Sequence, residues 1–154
     1  MPTAYVEEIL TVTAHQAFDL IHDYDRRLEW GTLLQEAYLE PEFPAAAKGA
    51  ISLCRGRRIL GGIAIRSQYV TFNPGKIAAV KMLNRPPFFE TFGASIRHLD
   101  LPGNTSKIIY KFNFTARPAF LRPILHPVML RVLKWETGKR LESLNSFVSK
   151  KAID

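Results

Sequence analysis

Cysteine occurs once in the 154 residues, at Cys54. A lone cysteine excludes an internal disulfide and any structural zinc site built on cysteines. No run of 18 or more apolar residues exists, so no membrane-spanning helix is expected. The opening MPTAYVEEILTV lacks a basic segment followed by a long apolar stretch. No signal peptide is therefore expected, and the reading is a cytoplasmic chain. The four histidines, His15, His22, His98 and His126, form no HxxxH pair and no recognised metal spacing. Neither GxSxG nor a phosphate-cradling glycine loop occurs, and neither metal nor cofactor is expected. Internal repeats, low-complexity segments and linkers are also lacking, which leaves one domain over residues 1–154.

Hydrophobic residues make up 47% of the chain, enough for a real core and too many for disorder. The formal net charge is +7 and is unevenly spread. Residues 1–50 hold 3 basic and 9 acidic side chains, residues 51–116 hold 10 and 2, and residues 117–154 hold 8 and 3. A basic remainder can meet an anionic ligand, a membrane surface or nucleic acid, or be a solvated face. No run of five like charges occurs, as a solvated face would have it.

A capping box, Thr13 with Gln16 three residues on, predicts a short helix over Ala14–Asp23 after a first strand at Tyr5–Val12. A second helical turn is expected over Asp25–Trp30. Strands then follow at Leu33–Glu40, Ala50–Arg57, Ile63–Phe72, Lys76–Leu83, Phe88–Leu101 and Thr105–Ala116. The breaks between them carry turn residues, among them Gly61–Gly62, Asn73-Pro74-Gly75 and Pro102-Gly103-Asn104. Short turns between successive strands favour an antiparallel meander.

In the last strand Ile108, Tyr110, Phe112 and Phe114 alternate with Ile109, Lys111, Asn113 and Thr115, so the aromatic set faces inward. In the strand before it, Arg97 prefers water. That assigns Phe92, Ala94, Ile96 and His98 inward, with Glu90 and Asp100 carried along; a one-residue bulge would reverse part of this set. Arg55 on the third strand either faces inward with Ile51 and Leu53, where it needs an anionic partner, or twists outward.

Leu130, Leu133, Thr137, Leu141, Leu144 and Val148 recur at spacings of three and four, one face of a helix. Pro118, Pro123 and Pro127 precede them, so the helix is expected to start near Pro127 and to run about 22 residues, roughly 33 Å. Gly138 falls in its middle, where glycine costs about 1 kcal/mol relative to alanine. Close approach of the sheet or of a ligand is the expected reason. A long amphipathic helix after a meander needs a curved antiparallel sheet to pack on.

Strand, two short helices, six strands and a long helix resemble the helix-grip fold of START-like proteins, an α+β architecture. Within these the chain looks most like the polyketide cyclase/dehydrase and lipid-transport family. The resemblance rests on Tyr5–Val12 leading into AHQAFDLI at 14–21, on Trp30 after Asp23-Tyr24-Asp25, and on VTFNPGK at 70–76. It rests also on LPGNT at 101–105 before the aromatic strand, and on the final helix. It implies an apolar cavity between a seven-stranded sheet and the C-terminal helix. A lipid, polyketide or isoprenoid-like ligand would be lined there by Trp30, Phe92, Ile96, Tyr110, Phe112, Phe114, Leu133, Thr137 and Leu141. The resemblance does not imply a particular activity, because function lives in the site.

Three function classes follow. The first is a binding or carrier protein for a hydrophobic or amphipathic small molecule. The second is an enzyme of cyclase, dehydratase or aromatase type, with Glu90, His98 and Tyr110 as the acid–base candidates. The third is a partner-binding module with a vestigial cavity. Nucleic acid is not an expected partner, because the aromatic residues belong to the core face and do not interleave with a basic stripe. The segment Phe120–Leu133, apolar with Arg122 and Arg131, suits a transient contact with an anionic membrane surface or a helix start packed on the sheet edge. Cys54 reads as a packed or lightly exposed thiol rather than a nucleophile.

Overall fold

Seven antiparallel strands in the order β1-β7-β6-β5-β4-β3-β2 form one sheet, and a 32-residue helix closes its concave side. The computed structural model describes residues 2–31, 33–57 and 62–153, the last three of these by their backbone alone. The strands are β1 (Thr3–Leu10), β2 (Leu34–Leu39), β3 (Ile51–Gly56), β4 (Ala64–Asn73), β5 (Ile77–Met82), β6 (Phe89–Leu101) and β7 (Thr105–Ala116). The helices are α1 (Ala14–Ile21), the single turn α2 (Arg27–Trp30) and α3 (Arg122–Ile153), the last preceded by a 3-10 turn at Ala119–Leu121. Strands β2 to β7 are a meander, and β1 adds to the sheet as an edge strand by pairing with β7. Of the Gly61–Gly62 pair expected before β4, Gly61 lies outside the described residues.

The capping box forms as read. Thr13 Oγ1 accepts from the Gln16 amide at 3.2 Å, and Gln16 Oε1 accepts from the Thr13 amide at 3.0 Å. Asp100, expected on the inner face, shares the phase of His98 and pairs with the buried Ser106, but lies at the exposed end of β6, where its Oδ1 accepts from the Ala14 amide at 2.9 Å. An acceptor at a helix N-terminus satisfies one of its free amides. Gly75, at φ 78°, lets the β4–β5 turn pass under α1; a Cβ there would stand 2.8 Å from His15 Nδ1.

The inner face of the sheet is set by β6 and β7. Phe92 pairs with Phe114, Ala94 with Phe112, Ile96 with Tyr110 and His98 with Ile108. Aromatic pairs of this kind stabilise a sheet beyond the area they bury. A bulge breaks the register between Phe89 and Thr91. It places both Phe89 and Phe92 inward and leaves Glu90 at the bulge itself, paired with Arg85. The inward assignment of Glu90 is thereby reversed by the extra residue. On β3 the inward residues are Ser52 and Cys54, not Ile51 and Leu53. Arg55 turns outward, donating to the Gly62 carbonyl at 3.0 Å and pairing with Glu36.

Helix α3 packs Thr137, Leu141, Leu144 and Val148 into the core, with Leu130 and Leu133 partly buried. It begins at Arg122, earlier than expected, and carries Pro127 inside. Proline there forgoes one intrahelical hydrogen bond. Two side chains of the same segment tie it to the end of β7: Arg122 Nε donates to the Ala116 carbonyl at 2.8 Å, and His126 Nε2 accepts from the Ala116 amide at 3.1 Å. Close approach of the sheet is not the reason for Gly138, since a Cβ there would meet no atom within 4 Å, and Gly138 does not line the cavity described below.

Candidate functional site

The core is not filled. A cavity of about 140 Å³ lies between the inner face of the sheet, α1–α2 and the middle of α3. Protein interiors pack like organic crystals, and a void of this size is uncommon without an occupant. One wall is apolar: Phe92, Ile96, Ile108 and Phe112 from β6 and β7, with Leu133 and Leu141 from α3. Phe92 and Phe112 stack in that wall with ring centroids 6.3 Å apart.

The opposite side is polar and carries two hydrogen-bonded groups. In the first, His22 Nδ1 lies 2.7 Å from the Tyr69 hydroxyl, which lies 2.8 Å from the Tyr24 hydroxyl. Burial pushes the Tyr24 hydroxyl up to about 12 and holds Tyr69 well above the ordinary tyrosine value. Burial also lowers His22 to about 3, helped by the fields of His98 and Arg27. At neutral pH this chain is therefore uncharged, a row of hydroxyls with a neutral imidazole at its end. In the second group, Arg140 donates to the Tyr110 hydroxyl at 3.0 Å and pairs with Glu136 one turn before it on α3. Burial opposes the charge on Arg140, but the Glu136 carboxylate and Tyr110 outweigh it and the net shift is upward. A second cation, Arg27, faces the same space with its guanidinium 4.0 Å from the Trp30 ring centroid. Two arginines and one glutamate give the interior an excess of one positive charge.

The structure brings together eight of the nine residues expected to line a cavity: Trp30, Phe92, Ile96, Tyr110, Phe112, Leu133, Thr137 and Leu141. Phe114 is excluded. It is fully buried against Phe89, Phe112 and the His126 ring, because the start of α3 covers that end of β7. Of the acid–base candidates only Tyr110 reaches the cavity. His98 faces inward but lies outside the cavity under α1, 5.5 Å from the Phe18 ring, with neither ring nitrogen hydrogen-bonded among the described residues. Burial lowers it to about 4. Glu90 is outside at the β6 bulge.

Sequence reasoning missed His22, Tyr24, Arg27, Tyr69, Glu136 and Arg140. A signal existed for two of them: Glu136 and Arg140 are four apart and border the apolar stripe of α3 beside Leu133, Thr137 and Leu141. Tyr69 could have been placed only with the β4 bulge between Tyr69 and Thr71 in hand. Nothing in the sequence distinguishes Arg27 from Arg26, which lies beside it and pairs with Glu29.

No protein-family description matches the chain, and no curated protein matches it either. Solved structures do. The chain is similar to the Zhui aromatase/cyclase from a Streptomyces species, at a TM-score of 0.81 and 10% identity over 98% of this chain and 96% of that one. It is similar to a START superfamily protein from Mycobacterium smegmatis, at 0.74 and 7% identity over 96% and 97%. It is also similar to the di-domain ARO/CYC StfQ from the steffimycin biosynthetic pathway, at 0.77 and 16% identity over 99% of this chain and 53% of that one. Identities this low speak for the fold alone. A seven-stranded antiparallel sheet gripping a long C-terminal helix, shared with these neighbours, gives the chain the START-like helix-grip fold.

Proposed function

We propose that the chain binds a hydrophobic or amphipathic small molecule in the cavity between sheet and α3, as a binding or carrier protein. The observation that carries this reading is the unfilled space itself, apolar on one side and polar on the other. A few convergent polar groups in an apolar pocket are the ordinary composition of a ligand site. Two of the three groups weighed for catalysis lie outside it, which favours binding over turnover. The test is native mass spectrometry of the purified protein and of the protein incubated with a mixed panel of fatty acids, alcohols and aromatic polyketides. A one-to-one adduct that disappears on denaturation supports the reading. A protein that stays empty throughout counts against it.

A second reading, a cyclase or dehydratase, is favoured by the Glu136–Arg140–Tyr110 group and the His22–Tyr69–Tyr24 chain facing the same cavity. Such groups can polarise a ketone and relay a proton. Two of the three structural neighbours described above are aromatase/cyclases by name. Loss of water from a linear poly-ketone, followed by mass, separates this reading from the first. For a carrier, the outer face of α3 and of the 3-10 turn before it offers a membrane contact. Phe120, Ile124, Val128, Val132 and Trp135 form one exposed apolar stripe, with Arg131 and Lys134 also exposed. A basic amphipathic face of this kind suits an anionic bilayer.

A further inference from the structure

Of the charged groups that face the cavity, Glu136 is committed to Arg140, and Arg27 is left over. Arg27 is 7% exposed, and its Nη1 has no hydrogen-bond partner among the described residues. Besides burial, the groups that act most strongly on its charge are Arg140, Cys54, Tyr24 and Tyr110, none of them a carboxylate. A buried cation without a counter-charge is costly, and folds hold one rarely unless something else supplies the anion. Covering the Trp30 ring does not require a charge, since a methionine would do it too.

Size gives the second constraint. A cavity of about 150 Å³ takes benzene, so the inner cavity takes a headgroup or one ring and not a whole lipid. Beside it lies an apolar groove of about 250 Å³. The two share Cys54, Ile65, Leu133, Glu136 and Arg140 as a common wall. The far side of the groove is formed by Phe88, Val128 and Val132, all exposed. A polar end with a spare positive charge thus lies against an apolar groove that opens at the surface.

We propose that the ligand is a monoanionic amphiphile whose acid group seats on Arg27, and whose apolar chain passes Leu133 and the Glu136–Arg140 pair into the groove under Phe88 and Val128. This rests on the binding reading above and adds the ligand's charge and orientation. The Tyr24 and Tyr69 hydroxyls, protonated at neutral pH, face the same cavity and supply further donors to an anion. Glu136 faces both compartments, and its pairing with Arg140 keeps its negative charge from repelling the acid group.

Decanoate and decanol, equal in chain length and different in charge, test it by titration calorimetry at pH 7.5. Decanoate is expected to bind at least about tenfold more tightly, the worth of a hydrogen bond to a charged group. Arg27→Met is expected to bring decanoate down to the affinity of decanol and to leave decanol unchanged, while Arg27→Lys retains part of the preference. Without ligand, Arg27→Met is expected to melt no lower than the parent, because the unpaired charge is gone. Equal affinities in the parent would overturn the acid subsite while keeping the cavity. Absence of heat from both compounds would remove the binding reading as well. A melting temperature lowered by Arg27→Met would make Arg27 a part of the scaffold and overturn the proposal.

Discussion

Glu136→Gln is the substitution whose cost the structure defines most closely. The side chains of Glu136 and Arg140 are 11% and 16% exposed, so solvent screens the pair little. Exposed pairs contribute about 0–1 kcal/mol, whereas removing one partner of a buried pair costs roughly 3–5 kcal/mol. Here the loss leaves Arg140 and Arg27 uncompensated in one cavity. Glutamine keeps the shape and one acceptor, and Arg140 keeps its bond to Tyr110, so the lower end of the range applies, about 3 kcal/mol. For a chain of this length that corresponds to a melting temperature lower by roughly 6–12 °C. Urea unfolding at pH 7 measures it, with an unchanged m-value showing that the folded state stays compact. Adding Arg140→Met to Glu136→Gln removes the stranded cation and is expected to recover most of the loss. A cost under about 1 kcal/mol, typical of exposed pairs, or a double variant no more stable than Glu136→Gln, would refute the reasoning.

Gly138→Ala is expected to stabilise the protein by about 0.5–1 kcal/mol in the same urea assay, because a Cβ there meets nothing within 4 Å. Acid unfolding follows from the two buried imidazoles, whose folded values are about 3 for His22 and about 4 for His98 against an ordinary 6.5. The unfolded chain then binds protons that the folded chain refuses. Stability is thus complete above pH 6.5 and is lost as pH falls toward 4 and then 3, by about 3 kcal/mol for His98 alone. His98→Leu is expected to lower the midpoint pH of acid unfolding, and an unmoved midpoint would count against it. Sedimentation with phosphatidylserine vesicles is expected to carry the protein down at low salt and less so at 0.5 M salt. Ile124→Glu combined with Val128→Glu is expected to abolish it.

Much of the fold was legible because it rests on period and local chemistry. The spacing of Leu130 to Val148 marked the buried face of α3. The Thr13–Gln16 box marked the start of α1, and the alternation from Ile108 to Phe114 marked the inner face of β7. Where reading failed, the cause was a contact between residues distant in the chain or a break in the period. The extra residue at Glu90 turned that side chain out. The ties from Arg122 and His126 to Ala116 started α3 early and sealed Phe114 away from the cavity. Helix α1 covered His98. The apolar wall of the site was readable because core-facing residues line it. The charged side was not, since burial of Arg27, Glu136 and Arg140 breaks the rule that charges face water.

Nuclear Overhauser contacts between bound decanoate and the protein's methyl groups test the central claim most directly. The expected result is contacts from the chain to Leu133, Met129 and Val128, with the carbons nearest the acid group close to Ile96, Ile108 and Leu141. Contacts confined to the outer stripe of Ile124, Val128 and Val132, with none to Ile96, Ile108 or Leu141, would place the ligand on the surface and contradict an internal site.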